Sequence, residues 1–502
     1  MDWNLILLGV IASVTFAIWW VRKKYKFFEE NGIPSVKPTF PLGNFWGVGT
    51  ERHFSELMLD YYREMKGKHV IGGMYFFVFP GYIALDLDLL KHILVKDFQY
   101  FHDRGVYVNE KDDPLSGHLF ALSGQRWKTL RNKLSPTFTS GKMKMMHLTI
   151  IAVAKEFQNY LGQVAEKNGE IEIKDILARF TTDVIGNTAF GIECNSLKDP
   201  DTEFRRIADK VFDFKGLEML RQLFIGVLPN LARKLGAKAI KPEVSDFFMR
   251  LLRVTTEYRE KNNIKRNDFL QLLLQLKNTG QLDGEDTQFG KMTFEELAAQ
   301  TFLFFIAGFE TSSSTMSFAL YELAQQQDIQ DRAREEIHQV LKKHNEEFTY
   351  EACMEMKYLD RVINETLRKY PVAPTIMRQV TKDYKLPDHD FVMKKDSVVL
   401  ISVNAIHHDP EIYPDPEKFD PDRFTDENIK SRHPYAWLPF GEGPRICIGM
   451  RFGMMQTRVG LANLLQKYRV KTCSRTPIPL VLSPSSSVLS AKSGIWLRLE
   501  KV

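Results

Sequence analysis

The chain has 502 residues, of which 44% are hydrophobic and 12% aromatic, enough to bury a large core. Its formal charge of +5 is too small to argue for nucleic acid as a partner. Its four cysteines, Cys194, Cys353, Cys447 and Cys473, are too sparse for a disulfide framework and lack the CxxC spacing of a zinc site. The globular part is therefore expected to lie in a reducing compartment.

An apolar run within residues 3–21 ends in a basic cluster at Arg22, Lys23, Lys24 and Lys26. As a helix, the apolar residues span about 25 Å, close to the ~27 Å hydrocarbon core of the endoplasmic reticulum membrane. A cleaved signal peptide is the alternative, but it requires a positive start and a small-residue cleavage site. The sequence predicts a retained, single-pass transmembrane anchor over 3–21. By the positive-inside rule, the chain after it is cytosolic.

Residues 22–43 are predicted to be a basic and proline-rich linker, because Pro34, Pro38 and Pro41 fix the backbone and exclude helix. No internal repeat or long flexible segment divides the chain beyond this point. The sequence therefore predicts a single domain over 44–502.

The periodicity predicts a helix over Phe54–Met65, followed by a β-hairpin. Its strands are Val70–Phe79 and Ile83–Leu85, and Pro80-Gly81 is the predicted turn. Helical periodicity dominates most of the remaining chain, with a strand near Val398–Ile401. The predicted fold class is a mainly helical α+β protein with a small β-rich region near the N-terminus.

One helix is predicted to be unusually long. Thr293-Phe-Glu-Glu296 matches a capping box, and the helix it opens runs to about Gln327. In its middle lies Ala307-Gly308-Phe309-Glu310-Thr311, where glycine costs roughly 1 kcal/mol against alanine. Something therefore packs closely against this point, and a second helix is the simplest candidate.

Residues 215–240 are apolar around Gly226 and Pro229. Two interpretations remain open for them, a pair of core helices or a second membrane contact near a substrate entrance.

The stretch Phe440–Gly449 places one cysteine, Cys447, in a glycine-rich turn with Arg445 two residues before it. A thiolate needs positive surroundings, which Arg445 and a following helix N-terminus supply. From these residues alone, the sulfur is a nucleophile, a metal ligand or an inert core thiol. Further upstream, Glu365-Thr-Leu-Arg368 taken alone is an ordinary solvated pair worth about 0.2–0.5 kcal/mol.

Together these segments resemble the cytochrome P-450 (haem-thiolate monooxygenase) family over nearly the whole chain after the anchor. The resemblance implies the family's fold. The motifs that carry it are Phe440-x-x-Gly443-x-Arg445-x-Cys447-x-Gly449, Ala307-Gly308-x-Glu310-Thr311, Glu365-x-x-Arg368, Pro421-x-Arg423-Phe424 and Trp127-x-x-x-Arg131.

The resemblance implies that Cys447 is the proximal ligand of haem b, within a loop that ends at Gly449. Phe440 is expected to pack beside that loop and tune the iron. The two haem carboxylates imply paired cationic or N–H donors, since guanidinium suits carboxylate. The implied donors are Trp127, Arg131, Arg378 and Arg445.

On the opposite face of the cofactor, the resemblance places Ala307 and Gly308 of the long helix, with Gly308 closest. Thr311 and Glu310 are the implied catalytic residues, which deliver protons during oxygen activation. Glu365, Arg368 and Arg423 are expected to form a structural ion-pair network rather than to act in catalysis.

No flavin- or nicotinamide-binding motif occurs in the chain. The resemblance therefore implies that electrons come from NADPH through an external flavoprotein, the NADPH-cytochrome reductase, sometimes with cytochrome b5. Basic residues form a candidate docking face, with a generic solvated surface as the alternative. They are Arg126, Lys128, Lys133, Arg445 and Arg451.

Three stretches resemble microsomal members typified by insect detoxification enzymes. They are Asp112–His118, Leu134–Lys142 and Tyr413–Phe419. A lipophilic substrate is expected, in a pocket lined by aromatic residues that core packing explains equally well. These are Phe101, Phe120, Phe302 and Phe305.

The predicted reaction inserts one oxygen atom from O2 into a lipophilic xenobiotic, such as an insecticide or plant toxin. Four alternatives remain: oxidation of an endogenous hormone or fatty acid, a reductase-independent peroxide isomerase, a cysteine hydrolase and a non-catalytic binding module.

Overall fold

The structure of the protein is a computed structural model that describes residues 3–167, 169–211, 217–283, 289–486 and 488–502. Helices dominate these residues. In chain order they are α1 (Trp3–Lys24), α2 (Phe27–Glu30), α3 (Phe54–Met65), α4 (Leu87–Lys91), α5 (Gly124–Leu134), α6 (Ser140–Lys167), α7 (Ile173–Ile185), α8 (Glu203–Val211), α9 (Leu217–Val227), α10 (Pro229–Lys234), α11 (Pro242–Asn262), α12 (Phe269–Asn278), α13 (Phe294–Gln325), α14 (Gln327–Lys343), α15 (Tyr350–Glu355), α16 (Lys357–Lys369), α17 (Val403–His407), α18 (Asp426–Ser431) and α19 (Met450–Lys467).

The strands form three small sheets, which in strand order are β1-β2-β7-β4, β3-β9-β8 and β5-β6. In chain order the strands are β1 (Ile71–Phe76), β2 (Phe79–Ala84), β3 (Glu170–Glu172), β4 (Thr375–Gln379), β5 (Tyr384–Lys385), β6 (Val392–Met393), β7 (Val398–Ser402), β8 (Tyr468–Thr472) and β9 (Trp496–Lys501). The predicted fold class, mainly helical with a small amount of sheet, is confirmed.

The chain divides into two compact units, each built from three segments. Unit 1 comprises Met1–Gly105, Ala373–Pro416 and Arg432–Ile446. Unit 2 comprises Val106–Val372, Glu417–Ser431 and Cys447–Val502. The predicted boundary at residue 44 stays a prediction, and the structure groups the residues on both sides of it into unit 1.

The start of unit 1 is more helical than the predicted linker. Helix α1 continues through the basic cluster to Lys24, and α2 follows within the region predicted to be linker. Phe28 of α2 is fully buried, with its ring 5.0 Å from that of Tyr75 on β1. This segment is therefore docked onto the sheet rather than free. Between Gly32 and Gly43 no helix forms, as the prolines predict.

The four-stranded sheet of unit 1 corrects the predicted hairpin turn. Strands β1 and β2 pair antiparallel as expected, but Tyr75 pairs with Pro80 and Phe76 with Phe79, so the turn lies at residues 77–78. Proline is tolerated inside β2 because pairing with β7 starts only at Gly81. A side chain at Gly81 would lie 2.6 Å from the Phe76 ring, which explains the glycine without a turn.

Unit 2 is organised around α13, which spans 32 residues. The predicted capping box is confirmed, because Glu296 N donates to Thr293 Oγ1 at 3.1 Å and Thr293 N donates to Glu296 Oε2 at 3.1 Å. Every residue from Ser312 to Ala324 is buried. The helix is therefore held by packing along most of its length.

Close packing against Gly308 is also confirmed. A Cβ at Gly308 would lie 2.4 Å from Ile185 Cδ1 at the end of α7, so a larger residue there would require the Ile185 side chain to shift. The element that packs there is a helix, as the sequence predicted.

An aromatic cluster fills the core beside α13. The Phe305 ring lies 5.0 Å from Phe248 and 4.8 Å from Phe309, and the Phe302 ring lies 5.2 Å from Phe248. Phe302 and Phe305 are both buried, which favours core packing over an open pocket wall for these two. Phe120, by contrast, is 47% exposed.

Candidate functional site

The cysteine loop begins with a turn that requires glycine. Gly441 and Gly443 have φ of +71° and +73°. A Cβ at Gly443 would lie only 2.0 Å from the Leu94 carbonyl oxygen. The loop backbone therefore lies too close to the Leu94 backbone for any side chain at position 443. One 3-10 turn, Gly443–Arg445, then leads towards Cys447.

Cys447 has a different environment from the two buried cysteines. Burial raises the pKa of Cys353 to about 12 and also raises that of Cys194, so both thiols stay protonated. Cys447 is exposed and lies three residues before Met450, the first residue of α19. The positive end of a helix dipole favours a thiolate at this position. The inert-thiol interpretation therefore suits Cys194 and Cys353 rather than Cys447.

Helix α5 brings two of the predicted site residues onto one face. Trp127 is 5% exposed, and Arg131, one turn later, is half-buried. Burial lowers the pKa of the Arg131 guanidinium, while the negative charge of Cys447 acts in the opposite direction. Within the described part of unit 2, Arg131 thus lies in the field of the cysteine sulfur.

Arg378 on β4 is a buried cation with an unsatisfied donor. It is 1% exposed, its Nη1 donates to the Met377 carbonyl at 3.0 Å, and its Nε has no hydrogen-bond partner among the described residues. Burial, and then repulsion from Arg104, lower its pKa to about 9. A buried charge of this kind costs several kcal/mol unless an anion pairs with it.

Two further arginines lie close to this position in unit 1. Arg445 is 2% exposed, and its Nε donates to the His102 carbonyl at 2.7 Å. Arg104 Nη2 in turn donates to the Arg445 carbonyl at 3.3 Å. Sequence reasoning missed Arg104, because no motif contains it and only the fold brings it to this position. Asp103 Oδ1 lies 3.6 Å from Arg445 Nη2 and balances one of the three positive charges, so the cluster keeps a net positive charge that suits a carboxylate-bearing ligand.

Phe440 is half-buried, and its ring meets that of Trp437 at 6.2 Å and an angle of 69°. This edge-to-face aromatic contact stabilises the start of the cysteine loop within unit 1.

The open face of α13 lies at Ala307 and Thr311. Ala307 is exposed and Thr311 is half-buried, whereas the helix is buried from Ser312 onward. Positions 307 and 311 are four apart, so they share one helix face. The structure therefore places two of the predicted site residues together on the exposed face of α13.

Four successive carbonyls at this point accept side-chain hydrogen bonds. Thr311 Oγ1 donates to the Ala307 carbonyl at 2.6 Å, and Gln456 Nε2 of α19 donates to that of Gly308 at 3.2 Å. Thr181 Oγ1 donates to the Phe309 carbonyl at 2.9 Å, and Lys174 Nζ to that of Glu310 at 3.4 Å. Such bonds compete with the helical ladder and make this stretch of α13 locally adaptable.

The predicted site residues Gly308, Glu310 and Thr311 of α13 each have different neighbours in the structure. The vacant Cβ position of Gly308 faces Ile185, so packing alone accounts for the glycine, and its contact with a cofactor stays a prediction. Glu310 and Thr311 bind separate partners. The Glu310 carboxylate pairs with Lys174 Nζ at 2.9 Å, whereas the Thr311 hydroxyl donates back into its own helix.

Glu365 and Arg368 are fully buried and belong to a larger network, as the family resemblance implied and the spacing of the isolated pair did not. Arg368 Nε and Nη2 donate to the two Glu365 oxygens at 2.7 and 2.8 Å. The Asp420 amide donates to Glu365 Oε1 at 2.9 Å, and Arg423 Nε lies 3.5 Å from the same oxygen. Both Glu365 and Arg368 have no exposed side-chain surface, so this network supports the fold.

The predicted basic docking face loses one member. Arg445 is buried, so it cannot form part of an exposed surface. Arg126 is exposed but pairs with Glu110, and Arg451 is exposed with Nη1 3.4 Å from Ser140 Oγ. Lys128 is also exposed. The smaller patch stays a prediction.

Comparisons with known proteins agree with the motifs. The family model described as Cytochrome P450 matches residues 34–498. The chain is 48% identical over 501 residues to cytochrome P450 6a9 of Drosophila melanogaster, covering 100% of this chain and 99% of that protein. It is 46% identical over 502 residues to cytochrome P450 6A1 of Musca domestica, with 99% and 98% covered. A probable cytochrome P450 6a14 of Drosophila melanogaster is 45% identical over 512 residues, with both chains fully covered.

Proposed function

The chain belongs to the cytochrome P450 family of monooxygenases, which use haem b and electrons from a redox partner, and we propose that it oxidises lipophilic xenobiotics. The observation that carries the proposal is Cys447, an exposed thiol in a glycine-shaped loop at the N-terminal end of α19. The full-length similarity to insect relatives supports a role of the detoxification type.

The residues present fit a haem group. Arg378 is buried with an unsatisfied Nε, and Arg104 and Arg445 lie beside it in unit 1. Pairing with a carboxylate would offset the cost of burying the Arg378 charge. In unit 2, Arg131 and Trp127 offer further donors on one face of α5. We propose Arg378, Arg445 and Arg104 as the haem-carboxylate donors of unit 1, and Arg131 and Trp127 as the haem-carboxylate donors of unit 2.

Cys447 Sγ is the atom that would hold the haem iron, and Phe440 and Gly449 shape the loop around it. When bound, the haem supplies oxygen activation, which an anionic sulfur ligand favours by pushing electron density to the iron. The helix N-terminus that follows Cys447 favours the thiolate, which is the form of the sulfur that binds metal.

Thr311 and Glu310 are the proposed catalytic residues. To donate outward from the open face of α13, the Thr311 hydroxyl must leave the Ala307 carbonyl, to which it donates at 2.6 Å. That carbonyl is the first of four successive carbonyls on α13 that accept side-chain hydrogen bonds. In this proposal the Glu310 carboxylate turns away from Lys174, its partner at 2.9 Å, to replace the proton that Thr311 donates. Ala307 is exposed on the same face, and its methyl side chain adds no polar group there.

The proposed electron donor is the NADPH-cytochrome reductase, with cytochrome b5 as a possible second donor. Its candidate docking surface consists of Lys128, Arg451, Lys133 and Arg126. Complementary charge raises the association rate of such partners and makes it sensitive to salt.

The proposed location is the endoplasmic reticulum membrane, with one span and a cytosolic catalytic part. Helix α1 contains a stretch, Ile6–Lys24, that is long and apolar enough to cross a bilayer and is almost wholly exposed. A second contact is proposed for α9 and α10, where exposed apolar side chains cluster. Their exposed members are Met219, Leu220, Leu223 and Leu231.

The absorption spectrum of the dithionite-reduced protein, with and without carbon monoxide, tests whether Cys447 is the ligand of the haem iron. We expect a red-shifted, thiolate-type Soret band that Cys447→Ser abolishes and Cys473→Ser leaves intact. Persistence of the band in Cys447→Ser would overturn the assignment.

Turnover of a panel of lipophilic compounds with added reductase then tests the reaction and the substrate class. Product formation that consumes NADPH supports the monooxygenase assignment. Rearrangement of a peroxide without NADPH would instead indicate an isomerase. Exclusive turnover of hormones or fatty acids would replace the xenobiotic role with an endogenous one.

A further inference from the structure

A buried glutamine in the second turn of α13 joins this helix to the loop of residues 106–123, which we call the α5 loop. Gln300 has no exposed surface. Its Oε1 accepts from the Leu119 amide at 2.8 Å, and its Nε2 donates to the Gly117 carbonyl at 3.4 Å. Nε2 also donates to the Glu296 carbonyl of its own helix at 3.2 Å. One side chain therefore fixes two backbone groups of the α5 loop against α13, all within unit 2.

The first half of the α5 loop is held by a different group. Asp113 is 1% exposed, and its Oδ2 accepts from the amides of Ala239 and Ile240 at 2.9 and 3.0 Å. These bonds join the loop to the segment that follows α10. Loss of the hydrogen bonds of Gln300 would therefore release residues 117–122, while the bonds of Asp113 still anchor the first half.

Gln300 lies on the same face of α13 as two predicted site residues. Positions 300 and 307 are seven apart and positions 307 and 311 are four apart, which correspond to about two turns and about one turn of helix. Ala307 and Thr311 form the open part of this face, whereas the α5 loop covers it at Gln300. The glutamine therefore determines where the α5 loop meets the exposed face of α13.

The α5 loop carries an aromatic side chain next to this contact. Phe120 is 47% exposed, whereas its neighbours Leu119 and Ala121 are 4% and 1% exposed. The loop turns tightly here, since the Ala121 amide donates to the His118 carbonyl at 3.0 Å. The Leu119 amide that Gln300 binds comes one residue before Phe120. The position of the Phe120 ring therefore depends on the glutamine.

We propose that Gln300 is a positioning residue for substrate selectivity, which holds the Phe120 ring beside the open face of α13. The inference rests on the proposed oxidation of lipophilic substrates, and on the expectation that Phe120 lines their pocket. A ring held in one place favours substrates with a flat aromatic group, because an aromatic pair contributes more than its buried area alone. A ring on a released loop loses this contact. Gln300 acts through the α5 loop, since its own side chain has no exposed surface.

The chain contains a matched control residue, Gln330, in the first turn of α14. It also has no exposed surface. Its Oε1 accepts from the Val470 amide at 2.8 Å, and its Nε2 donates to the Val470 carbonyl at 2.9 Å. This glutamine joins α14 to β8 rather than to the α5 loop. Methionine at either position keeps a side chain of similar length and removes the same kind of hydrogen bonds.

The test titrates the ferric holoenzyme with two probes, imidazole and 1-phenylimidazole, and follows the shift of the Soret band. The probes share the nitrogen that binds iron and differ by one phenyl ring, so the ratio of their dissociation constants reports the contacts of that ring. In Gln300→Met the preference for 1-phenylimidazole should fall by about two- to tenfold, the range that one aromatic contact contributes. Gln330→Met should keep the preference of the wild type. Equal preferences in the two variants would overturn the proposal.

Replacement of the ring tests whether Gln300 acts through Phe120. Phe120→Ala should lower the preference for 1-phenylimidazole by a similar factor. Adding Gln300→Met to Phe120→Ala should then change it little, because residues that act together are not additive. If the two factors instead multiply in the double variant, Gln300 does not act through the ring and the proposal is wrong.

Hydrogen exchange of the wild-type holoenzyme tests the contact without any substitution. The Leu119 amide donates to Gln300 as the Val470 amide donates to Gln330, so both should be protected from exchange. A Leu119 amide that exchanges at the rate of an unstructured chain would overturn the proposal, whether or not the variants fold.

The two levels of proposal fail separately. If imidazole shifts no Soret band in the wild type, the proposed haem-dependent function is itself wrong. If imidazole binds to every variant and the preference for 1-phenylimidazole is the same in all of them, only the role of Gln300 is wrong.

Discussion

Replacing Glu365 by glutamine tests whether the buried network in unit 2 stabilises the protein through charge balance. Glutamine keeps the shape of the side chain but leaves Arg368, with no exposed surface, without its counter-charge. Arg423, 3.5 Å from the same carboxylate and 12% exposed, loses a partner as well. Removing one member of a buried pair typically costs about 3–5 kcal/mol.

The expected shift in melting temperature follows from the size of the unit. The unfolding entropy is about 2.1 cal/mol/K per residue, taken over the roughly 340 residues of unit 2. A loss of 3–5 kcal/mol then lowers the melting temperature by about 4–7 °C. Differential scanning calorimetry of the wild-type and variant holoenzymes, at one scan rate, measures this shift in melting temperature.

The matched control is Glu260→Gln, which removes the partner of Lys277 from a pair that is 37% and 26% exposed. Exposed pairs contribute about 0–1 kcal/mol, so this variant should melt within about 1.5 °C of the wild type. If Glu365→Gln and Glu260→Gln have the same melting temperature, the Glu365 charge does not stabilise the protein, and the charge-balance explanation is wrong.

Three further substitutions test the site. Gly443→Ala places a Cβ 2.0 Å from the Leu94 carbonyl oxygen at a φ of +73°, so haem content should collapse, whereas Gly141→Ala, with no atom within 4 Å of its Cβ, should retain it. Arg378→Met removes a buried cation with an unsatisfied Nε, so haem should transfer faster to apomyoglobin; an unchanged transfer rate would count against its role as a carboxylate partner. Thr311→Ala should uncouple NADPH consumption from product formation, and unchanged coupling would show that the hydroxyl carries no proton.

Features that depend on a few neighbouring residues were predictable from the sequence. The capping box at Thr293 fixes where α13 begins because both of its hydrogen bonds join residues three apart. The close packing at Gly308 was also predictable, since glycine inside a helix has a cost that only a close neighbour explains. The identity of that neighbour, Ile185, depends on the tertiary fold.

Features that depend on distant residues were not predictable from the local pattern. Pro80-Gly81 carries a turn signal, but the pairing of β2 with β7, and not local preference, decides where the hairpin bends. Glu365 and Arg368 have the spacing of a solvated pair, but the fold buries them and brings Asp420 and Arg423 of a distant loop to the Glu365 carboxylate.

The contact between Glu310 and Lys174, within the candidate site, is another that the local sequence does not predict. Lys174 lies 136 positions earlier in the chain, and no spacing rule connects the two. Arg104 likewise reaches Arg445 across 341 positions. A motif identifies the residues that carry the chemistry, whereas the groups that hold them in place come from the whole fold.

The parallel pairing of β2 with β7 has a consequence for how the protein is made. The two strands are separated by roughly 310 residues, so at about 5–20 residues per second β2 waits about 15–60 s for its partner to be synthesised. During that interval β1 covers one edge of β2, while the edge at Gly81–Ala84 stays open to pairing with other chains. Transcripts truncated before β7 should therefore yield chains that aggregate or are degraded, even though their first hairpin is complete.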